Sequence, residues 1–431
     1  MEAVAKTVEF DDAPSIIFDI HKTYGAAPAE DIVLRIFDKI KPMLSIRRQD
    51  NGLYLRNLKT VLVNLFVAQD IAPATWVAYN SGHDAFKAKS RYNKLGISRV
   101  VVPIVEAMQN AGLVERIVGF RDRNTGIGRL SRCRATSTLK GMFFEAALVR
   151  ECVVREIESI VLRGPKNGRK KGDNLEYKDT KQTKSMRRVM DRINQALVNA
   201  DVTIAISDEE RKALVQRLGY EIDVTQTQLQ RVFNEDFGKG GRLYRHWIQS
   251  LPKEFRPKLK INGNDTIELD YSELHTRLLY AKVSAPMPDG DVYELPMLDG
   301  RHTKAEWRKK CKLCMNSLLN SPTKEAGILA AMDSRGKPWL KTNKREMAWI
   351  ADALISKHEP IAQFFGSGVG LRLQRLDSDL AVDVLTTLLD QEVLALPVHD
   401  SFVVEVQHGA RLRKAMEDAF KIRFGVEAKI G

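Results

Sequence analysis

Apolar positions recur at helical spacing through LKTVLVNLFVAQ (58–69) and again through RVVVPIVEAMQNAG (99–112), where Ser98 stands as the candidate cap. The period then changes. LVERIVGF (113–120) and RLSRCRAT (129–136) read as strands, and the intervening RDRNTGIG carries the Asn-Thr-Gly and final Gly of a hairpin tip. From 173 to about 237 the spacing is helical and charged, most clearly in MRRVMDRINQALVNA (186–200). TIELDYSELHTRLLYA (266–281) alternates through Ile267 and Leu269, then takes helical spacing at Leu274 and Leu278. Asp270 therefore stands where a strand gives way to a helix. In VLALPVHDSFVVEV (393–406) only His399-Asp400-Ser401 interrupts two apolar strand-like runs, which predicts a hairpin with an acid at its tip.

Between these two acids lies AEWRKKCKLCMNSLLN (305–320). Trp307, Cys311, Cys314, Met315 and Leu318 form one apolar stripe, while Arg308, Lys312 and Asn316 recur every four residues on an adjacent row. The stripe is expected to pack and the row to face outward. Cys311 and Cys314 make a CxxC, but no second ligand pair stands nearby, so core packing is expected of them and not a zinc site.

Composition narrows the function classes. A chain of 431 residues suggests two or three domains. Lys and Arg outnumber Asp and Glu by 68 to 55, a formal charge of +13, which suits a polyanionic partner. No run approaches the roughly 20 apolar residues of a spanning helix, and the N-terminus lacks a basic-then-apolar leader pattern. With only four cysteines, a soluble, cytoplasmic protein without membrane partners is expected. RGPKNGRKK (163–171) reads as an exposed basic linker behind an N-terminal region that ends near residue 150.

Helix, helix, then a hairpin with a basic tip is the order of a winged helix. That arrangement would set the helix after Ser98 in a major groove and Arg121, Arg123 and Arg129 against phosphate or the minor groove. A small helical domain with a solvated basic hairpin fits the same pattern, and winged helices also dock proteins. Asp11, Asp12 and Asp19 offer acids near the N-terminus, but no matching later set suggests a nuclease, so they are expected to be surface charges.

Acids at the ends of core strands are costly unless solvated or neutralised, and a divalent cation is the usual neutraliser. Magnesium takes one or two carboxylates plus phosphate oxygens, so Asp270 and Asp400 can hold metal around a nucleotide's triphosphate. Arg308 and Lys312, one turn apart on a packed helix, can grip that triphosphate, although an ordinary solvated basic face would look the same in isolation.

With these residues in view, the C-terminal part resembles the palm and fingers shared by DNA polymerase I-type enzymes and single-subunit, phage-type RNA polymerases. The palm motif DYSxxELR is similar to DYSELHTR at Asp270, Tyr271, Ser272 and Arg277. The fingers motif RxxxK looks like Arg308-x-x-x-Lys312, and the last palm motif, VHDE or HDSF, looks like Val398-His399-Asp400-Ser401-Phe402. GRLY (241–244) resembles the GR-x-Y that contacts template and primer, and LQRLDSDLAVDVL, with Gln374, resembles the helix before the final hairpin. The resemblance covers roughly residues 238–431.

The resemblance implies an α+β fold, a right-hand polymerase palm with a helical fingers insertion (238–431). It would be preceded by a helical N-terminal region (1–45), a winged-helix-like domain (46–150) and a basic linker with a helical thumb-like region (151–237). It further implies two Mg2+ ions, or Mn2+ in their place, on Asp270 and Asp400. Arg308 and Lys312 would hold the triphosphate, Tyr271, His275, Asn316 and Asn320 would surround the nucleotide, and His399, Arg242 and Gln374 would line the primer end. DNA template, primer and nucleoside triphosphates are the partners expected. The sequence departs from the family where sugar choice is made: His275 replaces the glutamate of the DNA enzymes, Asn320-Ser321 replaces the fingers tyrosine-glycine, and Asn316 replaces the first aromatic. DNA synthesis is the expectation, with RNA synthesis or priming as the alternative, and a non-enzymatic DNA-binding replication initiator as the rival of a different class.

Overall fold

The computed structural model describes residues 14–25, 28–82, 86–121, 128–166, 168, 170–298, 302–333, 340 and 342–431, apart from the side chains of 28 and 121. The chain divides into two compact units, each assembled from separated segments. The first takes residues 1–158, 206–228 and 245–250; the second takes 159–205, 229–244 and 251–431. The segment 151–237, expected as one linker and helical region, is therefore shared between both units.

The first unit is built on the helix Asn51–Ile71, whose residues 57, 58 and 60–68 are buried. It packs with Pro28–Ile40, Val101–Asn110 and Ser137–Glu145 into one apolar cluster. Asn64 is fully buried because its amide clamps the backbone of Asp19, accepting from its N–H at 2.8 Å and donating to its carbonyl at 3.0 Å. The sheet runs Ser15–Ile17, Trp76–Tyr79, Ser131–Ala135, Val114–Ile117. The expected hairpin is the last pair. Trp76–Tyr79 lies between the two helices in sequence and draws Ser15–Ile17 in parallel, so the element is a four-stranded α/β layer and not a bare wing. Ser98 Oγ accepts only from Val100 N at 3.4 Å, and the helix starts at Val101 with no side-chain cap.

Asp19, expected at the surface, is buried and paired with Arg155 at 2.9 Å; Asp11 and Asp12 lie outside the described residues. A second buried pair joins Lys22 Nζ to Asp223 at 2.5 Å. These long-range partners have no local sequence signature.

In the second unit a five-stranded antiparallel sheet runs Val202–Ile204, Leu259–Ile261, Asn264–Asp270, Ser401–Glu405, Leu396–Val398. A smaller sheet runs Asp236–Tyr244, Gln230–Asn234, Ile160–Arg163. The helix Gly370–Leu389 lies against Asp236–Tyr244. Gly241 permits this approach: its φ is +84°, and a Cβ there would stand 2.7 Å from Ser378 Oγ. The basic segment 163–171 is no free linker at its ends, since Gly164 N donates to Asp173 O and Arg163 bridges Asn174, closing a loop beside Ile160–Arg163. Among the described residues no helix is long and apolar enough to cross a membrane.

Candidate active site

Strand pairing brings the two acids together. Asn264–Asp270 pairs antiparallel with Ser401–Glu405, with Asp270 opposite Ser401, while Val398 pairs with Ser401 across a two-residue turn made of His399 and Asp400. His399 holds a left-handed φ of +60°, the backbone such a turn requires and one that non-glycine residues adopt only at a cost. Tyr271 N donates to Asp400 O at 3.1 Å, which locks the strand end to the hairpin tip. On the other side residues 429–431 join the strand end: Ser272 N donates to Lys429 O at 2.8 Å and Gly431 N to Asp270 O at 3.0 Å. A Cβ on Gly431 would stand 2.5 Å from Asp270 Oδ1.

Asp270 and Asp400 open onto a cavity of about 540 Å³ whose wall also carries Arg242, His275, Arg308, Lys312, Asn316, Asn320, Gln374 and His399. The opposite side of the cavity is the helix Lys304–Asn320, started by a capping box between Thr303 and Glu306. Trp307, Cys311, Cys314, Met315 and Leu318 are buried, and burial pushes both thiols up to about 12. Arg308, Lys312, Asn316 and Asn320 are exposed along one row. Arg308 is already engaged: its guanidinium pairs with Asp291 and lies 5.2 Å from the Tyr293 ring centre. Lys312 Nζ sits 5.6 Å from the same ring. Asn320 Nδ2 donates to Asn316 O at 2.7 Å, and Gly370 leaves no room for a Cβ against its side-chain oxygen.

The remaining wall is set by Asp377, which is 2% exposed. Its Oδ2 accepts from Arg242 Nε at 2.8 Å and Nη2 at 2.6 Å, and stands 3.8 Å from His275 Nε2. Arg242 Nη2 is 3.4 Å from that same ring nitrogen. Tyr271 contributes little beyond its backbone to the cavity: the residue is 3% exposed, its ring packs on Phe402 and Phe420, and its hydroxyl donates to Met416 O at 2.6 Å.

The electrostatics set the two acids apart. Among the described residues Asp19 pairs with Arg155, Asp223 with Lys22 at 2.5 Å, Glu346 with Lys310 at 3.1 Å and Asp377 with Arg242 at 2.6 Å. No ion pair is formed by Asp270 or Asp400 among those residues. Burial, then the charges of Asp377 and Asp270, push the Asp400 carboxyl above the usual range, with Arg242 opposing. Desolvation and Arg242 push the His399 ring below its ordinary value.

Among the described residues no group of three or more His, Cys, Asp or Glu side chains is placed to hold a metal ion. Two hard, uncompensated carboxylates with no soft ligand beside them do fit magnesium or manganese, which complete their coordination from water and phosphate. Of the residues expected to contact nucleic acid, Arg242 and Gln374 line this cavity. Arg129 lines a different cavity within the first unit, together with Arg132, Arg211 and Lys212; Arg123 and the Arg121 side chain lie outside the described residues. Sequence reasoning missed Asp377, Asp291 and Tyr293, and also Lys429 and Glu273, which pair at 3.0 Å on the cavity rim. Only Asp377 had a signal, its position three residues beyond Gln374. No family model matches the chain, and no curated protein matches it.

Proposed function

We propose that this protein is a template-directed nucleotidyltransferase, a DNA polymerase whose second unit is a right-hand palm with a helical fingers insertion. The observation that carries the reading is the pair Asp270 and Asp400, held at adjacent strand ends with no ion pair among the described residues and facing a row of exposed Arg308, Lys312, Asn316 and Asn320 across one cavity. Asp270 and Asp400 would hold the divalent ions, which when bound stabilise charge on the attacking and leaving oxygens of phosphoryl transfer. Lys312 would hold the triphosphate, and Arg308 would have to leave Asp291 to join it. His275 stands on the first turn of Leu274–Lys282 at the cavity wall and restricts space beside the sugar. Asn320 Nδ2 gives one N–H to Asn316 O and keeps a second donor, so the preference for DNA over RNA synthesis or priming rests on His275.

The test is primer extension with separate dNTP and NTP pools, on DNA and RNA templates, with and without primer, in Mg2+ or Mn2+. Extension from a primer with dNTPs is expected. Extension with NTPs alone would move the assignment to RNA synthesis, and DNA binding with no incorporation under any condition would favour a non-enzymatic initiator.

A further inference from the structure

Arg242 poses a problem for its own site. Its guanidinium lines the cavity that holds Asp270 and Asp400, and its charge acts on Asp400, yet it forms no ion pair with either. An arginine beside two uncompensated carboxylates would ordinarily pair with one of them, because bidentate guanidinium–carboxylate contacts are among the strongest a protein makes. What prevents this is a third carboxylate on the far side. Asp377 takes both Nε and Nη2 of Arg242 onto one oxygen, at 2.8 and 2.6 Å, from a position that is 2% exposed. The helix Gly370–Leu389 fixes that position against the strand carrying Arg242, where Gly241 and Ser378 are in close approach.

We propose that Asp377 is a positioning residue that holds the Arg242 charge away from Asp270 and Asp400, keeping those carboxylates open to a divalent cation. The inference deepens the nucleotidyltransferase reading and rests on it for the identity of the cation. Asp377 does not touch the cation or the nucleotide; it acts by out-competing its neighbours for one arginine. His275, 3.4 Å from Arg242 Nη2, closes the remaining side and discourages the guanidinium from swinging across.

Replacing Asp377 by Asn keeps the shape and an acceptor oxygen but removes the charge that retains Arg242. The freed guanidinium then competes for Asp400. Mn2+ binding to the nucleotide-free protein, followed by electron paramagnetic resonance of the unbound ion, should weaken about tenfold in Asp377→Asn, the effect expected of one unpaired cation within several ångströms. The double variant Asp377→Asn with Arg242→Gln should return to wild-type affinity, since the competing charge is gone. Arg242→Gln alone should bind Mn2+ at least as tightly as the wild type, and this variant carries the test if Asp377→Asn does not fold. Equal binding by the wild type and Asp377→Asn, a double variant no tighter than Asp377→Asn, or weakened binding in Arg242→Gln would each overturn the inference and leave the nucleotidyltransferase reading standing. A wild type that binds no Mn2+ at this site would instead remove the metal from that reading, and the inference with it.

Discussion

Asp400→Asn should have opposite effects on activity and on stability. The native Asp400 carboxylate sits where burial, Asp377 and Asp270 all disfavour its charge. A carboxyl raised by its folded surroundings destabilises the fold above its unfolded pKa and ceases to do so as pH falls and it protonates. Asparagine is nearly the same shape and carries no charge, so without divalent ions the variant should gain about 0.5–1 kcal/mol at pH 8, within the range found when strained functional positions are relaxed. That gain should shrink as pH falls and the wild-type carboxyl takes up its proton. Activity should move the other way: loss of a metal ligand removes transition-state charge stabilisation, at least about a thousandfold in rate or roughly 4 kcal/mol. Urea unfolding in EDTA at pH 8 and pH 4 reads the first effect, and single-nucleotide primer extension reads the second. A variant less stable than the wild type at pH 8 would refute the claim that Asp400 sits unneutralised, and near-normal extension would refute its role as a ligand.

Lys312→Ala should raise the apparent nucleotide constant and lower turnover while leaving duplex affinity unchanged; a loss of duplex affinity alone would make the exposed row a nucleic-acid face. His275→Gly should relax a wild-type preference for dNTPs over NTPs, measured as side-by-side incorporation ratios, without abolishing dNTP use. Burial and then Arg155 push His246 down to about 3, so its neutral form contributes stability that is present above pH 6.5 and lost progressively as pH falls from 6.5 to about 3. Between pH 6.5 and pH 5 this costs about 2 kcal/mol at 1.36 kcal/mol per unit, and His246→Gln should flatten the slope of urea stability over that interval. A chain lacking residues 1–150 should fail to order residues 206–228, because that segment would lose the rest of its unit, including the Lys22 partner of Asp223; hydrogen exchange over that segment checks this.

The legible parts of the site are those with a local signature. Alternation giving way to helical spacing located Asp270, a two-residue interruption of apolar runs located Asp400, and a four-residue period located the exposed row on Lys304–Asn320. The illegible parts are pairs made across the fold. Lys310 sits in the run RKKCK and reads as one more surface cation, yet it is fully buried against His302 at 2.7 Å and Glu346 at 3.1 Å. Asp19 reads as a terminal surface acid for the same reason: charged residues are mostly exposed, and only a distant partner reverses that expectation. The interleaving of the two units is equally invisible to a linear reading, because residues 206–228 and 245–250 carry no compositional mark of the unit they join.

The same contrast bears on whether the site is catalytic or a remnant. Arg155, Lys22, Lys310 and Arg242 each neutralise a buried acid elsewhere, so cations to compensate acids are not scarce in this chain. Arg242 stands at the wall beside Asp400 and is nevertheless bound to Asp377. A protein that only binds DNA gains nothing by leaving two acids uncompensated in a basic cavity, where they repel the backbone phosphates it must hold. A protein that recruits a divalent ion needs them so. A left-handed His399 and a raised Asp400 each carry a cost in stability, and strain and charge repulsion gathered at one cavity are frequent at working sites. The proposed enzyme accounts for the charges left on Asp270 and Asp400, and the initiator does not.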